Sequence, residues 1–198
     1  DCKKDLDFLF EKLQKTVSYK DQIKGKKKVA FMEHYQQLQA VANKHNTTYK
    51  CFDLLHQLLA LVNDKHTYLY APPPSTVNPK QIYNDSFTQH YINTPAFELS
   101  PSVDLNFDSL EQVLIQKEKQ DIEGIYHYGD VLKIGLYQVK NSTQYLGIIL
   151  DSKIKIWKKG QVTLQLEQGN KDQYKGIFVY RLDRRLFYDY FLLRDGLL

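Results

Sequence analysis

From about residue 122 onward the chain is a run of short β-branched and aromatic segments cut by turn-forming residues, and no other feature limits its fold as strongly. Turn chemistry recurs at Gly129-Asp130, Asn141-Ser142-Thr143, Asp151-Ser152, Lys159-Gly160, Gly169-Asn170 and Asp183, a spacing near ten residues. Between the turns, Leu132, Ile134 and Leu136 alternate with Lys133, Gly135 and Tyr137, and Val162, Leu164 and Leu166 with Thr163, Gln165 and Glu167. A period of two is that of a strand whose side chains point to opposite faces. Connections this short cannot carry a parallel crossover, so the pattern predicts an antiparallel meander of about six or seven strands. A meander of that length must close or fold over its edges, and the expectation over 121–198 is a small barrel or half-barrel.

Residues 1–70 follow another period. Leu6, Leu9, Leu13 and Val17 recur at three- and four-residue steps, with Asp5 as a candidate cap. After the break at Gly25-Lys26-Lys27-Lys28, the apolar face resumes through Phe31, Tyr35, Leu38 and Ala42. Asn46-Thr47-Thr48 offers caps for a third helix, in which Phe52, Leu55, Leu59, Val62 and His66 share a face that Leu54, Leu58 and Leu61 widen. Nearly apolar all round, it should be the buried helix. Between 71 and 120, Ala71-Pro72-Pro73-Pro74-Ser75 excludes helix and central strand, and Pro79, Pro95 and Pro101 follow, so the stretch reads as a linker or an irregular wrap. Tyr83, Phe87, Tyr91 and Phe97 in this stretch call for something to pack on, and Ser109 to Lys119 reads as a short helix. The fold class is α+β: an N-terminal helical bundle over 1–70, a proline-containing connector over 71–120, and an antiparallel β-barrel-like domain over 121–198.

Composition removes several functions. With 198 residues, 42 % of them apolar, the chain has enough for a packed core. Its net charge of +4 comes from 27 basic and 23 acidic residues that are interspersed, which gives no reason to expect a nucleic-acid partner. No stretch approaches the roughly 18 apolar residues of a membrane-spanning helix. No glycine-rich phosphate loop and no Gly-x-Ser-x-Gly elbow occur, and the histidines lack metal-ligand spacing, so neither cofactor nor metal is expected.

The remaining candidates are few. Cys2 and Cys51 are either two unrelated thiols or one bridge. Asp64-Lys65-His66-Thr67 places an imidazole beside an acid at the end of the buried helix, which suits a general base and equally suits a cap. Tyr126, Tyr128, Tyr137, Tyr145, Trp157 and Tyr180 would line or rim a barrel that held a small ligand, or else pack as core and edge.

The segment Leu54 to Leu69, an apolar helix closing in Asp64-Lys65-His66-Thr67, resembles the end of the helical N-terminal domain in tail-specific, C-terminal-processing serine peptidases, including the tricorn-like branch. Asp5-Leu6-Asp7-Phe8-Leu9-Phe10 followed by Tyr19 is similar to the first helix of Bacteroidetes-type members. Ile122 to Tyr126, Lys133 to Leu136, Tyr145 to Leu150 and Trp157 to Val162 resemble a β-rich module that those members carry before their catalytic core. The resemblance implies for His66 the general-base role of the tricorn-like branch, toward a serine delivered by a later domain. In branches with a Ser-Lys dyad the position would be structural. No catalytic core is recognisable before Leu198, so the implied function is accessory: positioning polypeptide substrates or gating access, inactive alone. The implied partners are a downstream peptidase core or a polypeptide substrate. The implied location is exported, whether periplasmic, cell-surface or extracellular, which favours a Cys2–Cys51 bridge. A small-ligand-binding β-barrel and a surface interaction module are the alternative readings.

Overall fold

The computed structural model describes residues 1–42, 47–64, 66–72, 80–81, 84–94, 97, 101–169 and 172–193. The cap candidate Asn46, Lys65, Pro73, Pro74, Pro79, Pro95, Tyr83 and Asn170 lie outside the described residues. Contacts divide the chain into two compact units, residues 1–69 and 70–198.

The first unit is helical. In α1 (Cys2–Lys15) the cap is Asp1 rather than Asp5: its carboxylate accepts from the backbone N–H groups of Lys3 and Lys4. Thr16 ends α1 and starts α2 (Val17–Gln22), because its hydroxyl donates to the Leu13 carbonyl at 2.7 Å and accepts from the Tyr19 N–H at 3.1 Å. The apolar period read through Val17 is broken there, and Val17 is exposed. Gly25, in the left-handed region at φ +56, leads into α3 (Lys26–Ala42), whose Phe31, Tyr35, Leu38 and Ala42 are all buried. Thr47 caps α4 (Thr48–Leu59), which buries Phe52, Leu54, Leu58 and Leu59. This helix stops earlier than its apolar run: turns begin at Ala60, and Leu61 is exposed. A disulfide joins Cys2 at the start of α1 to Cys51 in α4, with Cα atoms 5.4 Å apart. Phe10 stacks on Tyr35 at 3.8 Å, and Tyr19 meets Phe31 edge-on at 5.0 Å.

The second unit is built on a seven-stranded sheet in the order β1-β7-β6-β5-β4-β3-β2. Its strands are β1 (Leu69–Ala71), β2 (Gly124–Tyr128), β3 (Leu132–Gln138), β4 (Gln144–Ser152), β5 (Val162–Gln168), β6 (Gln173–Val179) and β7 (Leu186–Leu192). From β2 to β7 every sequential pair is antiparallel, the meander that the turn spacing predicts. The sheet is open, with β1 and β2 as its two ends. Between β1 and β2 come α5 (Asp85–Ile92), capped by Asn84, and α6 (Phe107–Ile115), capped by Asn106.

Strand register sorts the side chains into two faces, and both are covered in part. On one face α6 supplies Phe107 and Leu110 against Ile125, Tyr137, Ile148, Leu150 and Val162. Gly135 admits this helix, since a Cβ there would come within 3.0 Å of Leu114. The Lys133-Gly135-Tyr137 side of β3 is therefore not a solvent face. On the other face Leu136, Leu164, Leu166 and Tyr174 are buried, with Tyr126, Tyr145, Phe178 and Phe191 packed against them. Side chains of β2 and β7 share that one cluster, so the sheet curves toward this face. Residues 153–160, which alternate like a lysine-faced strand, form turns instead: the Ser152 hydroxyl accepts from the Ile154 N–H and donates to the Ile154 carbonyl. Ile154, Ile156 and Trp157 are still buried while Lys153, Lys155, Lys158 and Lys159 point out.

Candidate functional site

The turn after α4 is built around one carboxylate. Asp64 Oδ1 accepts from the backbone N–H of His66 at 2.9 Å, and Oδ2 accepts from the hydroxyls of Ser18 at 2.7 Å and Thr67 at 3.0 Å. These donors, the His66 N–H first and Ser18 next, hold the Asp64 carboxyl below its usual range. Beside it, Gln22 clasps the Asn63 backbone through both ends of its amide, accepting at 2.9 Å and donating at 3.1 Å. A short polar side chain that satisfies local N–H groups competes with helix, and these bonds hold Asn63, Asp64, His66 and Thr67 in a turn where the apolar pattern runs on to His66. The result is a turn fixed to α2 that carries an exposed His66.

This geometry assigns the acid a different task from the one that general-base chemistry asks of it. Asp64 orients the backbone, and among the described residues no hydrogen bond is made to the His66 ring. The serine beside the turn, Ser18, donates its hydrogen bond to Asp64. The arrangement leaves His66 exposed.

The aromatic candidates separate. Tyr126 and Tyr145 lie on the concave face with Tyr174, Phe178, Phe187 and Phe191, and burial pushes the Tyr126 hydroxyl up to about 12. Tyr145 meets Tyr174 edge-on at 5.8 Å, and Phe178 stacks with Phe187 at 6.4 Å. Tyr137 is on the opposite face, beneath α6. Tyr128, at the end of β2, is covered by the Arg181 guanidinium at 3.7 Å, and Tyr180 packs against Phe178 and Phe187. Trp157 is buried but does not belong to the cluster of the concave face, and it donates its Nε1–H to the Arg181 carbonyl at 2.7 Å.

Two polar centres escape sequence reasoning. In the helical unit the Asp7 carboxylate gathers Lys3 Nζ at 2.8 Å, the Tyr35 hydroxyl at 2.7 Å and Gln39 Nε2 at 2.7 Å. These bonds, Lys3 foremost, pull Asp7 down to about 2, while burial, aided by Asp7, raises Tyr35 to about 12. The spacing of Lys3, Asp7, Tyr35 and Gln39 at helical steps carried that signal. In the sheet unit Arg184 is only 3 % exposed, sits in the left-handed region at φ 60, and lies over Trp157 at 4.3 Å and Phe97 at 4.9 Å. Its Nη1 reaches the Ile156 carbonyl at 3.4 Å, and burial lowers its guanidinium to about 10. Nothing in the run Arg181-Leu182-Asp183-Arg184-Arg185 distinguishes the buried arginine from the half-buried Arg181 and Arg185.

Among the described residues no three His, Cys, Asp or Glu side chains are grouped to hold a metal ion, and no helix is long and apolar enough to cross a membrane. Comparison of the chain with protein-family models, with curated proteins and with solved structures finds no match.

Proposed function

We propose that this chain is an accessory region of an exported serine peptidase of the tail-specific type, which positions polypeptide substrates or gates their access and does not cleave them alone. The observation that carries the reading is the Asp64 turn. It follows an apolar helix, is fastened to α2 by Ser18 and Gln22, and displays His66 to the outside instead of enclosing it with a nucleophile. A histidine held in this way suits a serine delivered from elsewhere in a longer assembly. The test is to incubate the chain with an unfolded protein and a fluorophosphonate probe. The expected result is an uncut polypeptide and no labelled serine; a labelled serine with turnover overturns the accessory role.

The concave face favours a second reading, a barrel-like sheet that binds a small apolar ligand. Tyr126, Tyr145, Phe178, Phe187 and Phe191 are only partly buried there, and incompletely covered aromatics are what such a site presents. Trp157 is a poor reporter for this reading because it is buried and outside that cluster. Chemical-shift changes at the concave tyrosines on adding a panel of apolar ligands test it, and no response anywhere on that face counts against it.

A further inference from the structure

The sheet's two ends are finished differently. β1 is three residues long and runs into Pro72, a short strand stopped by a residue without an N–H. β2, Gly124-Ile125-Tyr126-His127-Tyr128, keeps an unshifted register with β3 from Gly124↔Leu136 to Tyr128↔Leu132. It contains no lysine, no proline and no bulge, the devices by which edge strands are ordinarily protected from pairing. In such an edge strand every second residue turns its N–H and C=O away from its one neighbour, and among the described residues no strand pairs with that side.

A groove of about 610 Å³ opens along β2, walled on its far side by the end of α6 and the turn that follows it, from Ile115 to Asp121. Ile115 is 60 % exposed there. The charges of the groove answer one another. Lys117 meets Glu123 at 2.5 Å and Asp121 at 3.6 Å, Lys133 pairs with Glu111, and the remaining Lys119 and Glu118 are sequence neighbours of opposite sign. A groove already neutral favours an uncharged occupant, because a charge brought into it would lose water without gaining a partner. The unused backbone groups set the occupant's conformation: only an extended chain matches their spacing.

We infer that the β2 edge is a docking site for an extended, uncharged segment of another polypeptide. The segment adds as a further strand and lays alternate side chains into the groove. This goes beyond the peptidase reading and does not depend on it, since it uses only the sheet unit's own residues. A single segment fits better than a second copy of the chain, which would bring its own α6 end and 117–121 turn to the same edge.

The test uses the full chain and a capped eight-residue peptide of alternating Thr and Val, with versions N-methylated at every second amide in each of the two possible phases. Amide spectra and hydrogen exchange are recorded during titration, and sedimentation is measured without peptide. The expected result is saturable binding, slowed exchange at alternate residues of 124–128, shifts confined to the groove walls, and at least a roughly tenfold loss of affinity for one methylated phase. Four results overturn the inference: no shifts at millimolar peptide, shifts confined to the concave face, equal binding by both methylated peptides, or a dimer that already protects 124–128.

Discussion

In the helical unit the charged side chains close on one another and on the backbone: Asp7 is filled by Lys3, Tyr35 and Gln39, Asp64 by Ser18, Thr67 and the His66 N–H, and a disulfide ties the first helix to the fourth. The sheet unit holds itself by apolar burial on two faces and leaves polar capacity unspent, at the β2 edge and at Arg184, whose Nε and Nη2 find no acceptor among the described residues. The contrast separates a scaffold whose polar groups fix one exposed turn from a sheet that, among the described residues, leaves one edge of β2 without a pairing strand and the guanidinium of Arg184 buried. Rigidity in the first comes from hydrogen bonds and a crosslink; in the second it comes from packing.

The comparison breaks most sharply at the crosslink. Reduction of the Cys2–Cys51 bond, or its replacement by alanines, removes a loop constraint worth about 4 kcal/mol on the chain-entropy model. Thermal unfolding followed by near-ultraviolet dichroism should show the helical unit melting earlier with reductant while the sheet unit, followed by Trp157 fluorescence, keeps its transition. A common shift of both would merge the two units energetically. Next comes packing: Leu166→Ala, at a fully buried position of the concave cluster, should cost about 3 kcal/mol, measured by denaturant unfolding.

Smaller effects test the polar side of the contrast. Asp64→Ala strands three donors and should cost about 2 kcal/mol, with the His66 ring resonance moving to its value in a flexible peptide. Because the folded Asp64 carboxyl is lowered, its contribution is present above the unfolded carboxylate range near 4 and is lost as pH falls through the folded value. Asp7 behaves likewise, and its contribution fades as pH falls toward about 2. Its side chain is 37 % exposed, so solvent screening limits the effect of Asp7→Asn to about 1 kcal/mol. An acid titration of stability in the two variants should flatten the wild-type slope between pH 2 and about 5; an unchanged slope would remove both carboxylates from the account.

Much of the scaffold was legible because it depends on period and turn chemistry. Phe31, Tyr35, Leu38 and Ala42 are spaced as one helical face and all four are buried there. The turns at Gly129-Asp130, Asn141-Ser142-Thr143 and Asp183 each join antiparallel strands. Where side-chain hydrogen bonds overrule the pattern, the reading fails: Thr16 cuts one apolar run into two helices, and Asp64 holds the end of another in a turn. Sheet curvature and the covering of a second face by α6 are tertiary facts, so alternation in β3 does not reveal that Gly135 and Tyr137 are packed rather than wet. Of the candidate site, His66 and the Tyr126–Tyr145 pair were visible by residue type. The fastening of Asp64 to Ser18, the burial of Arg184 and the bare β2 edge depend on how distant segments are arranged.

The most direct measurement is hydrogen exchange of the whole chain with and without an unfolded polypeptide, with cleavage read on the same sample. The account predicts slowed exchange across 124–128, an uncut polypeptide, and an exchange-resistant turn around Asp64 in both states. Cleavage of the polypeptide, or exchange that nowhere slows on its addition, would contradict it.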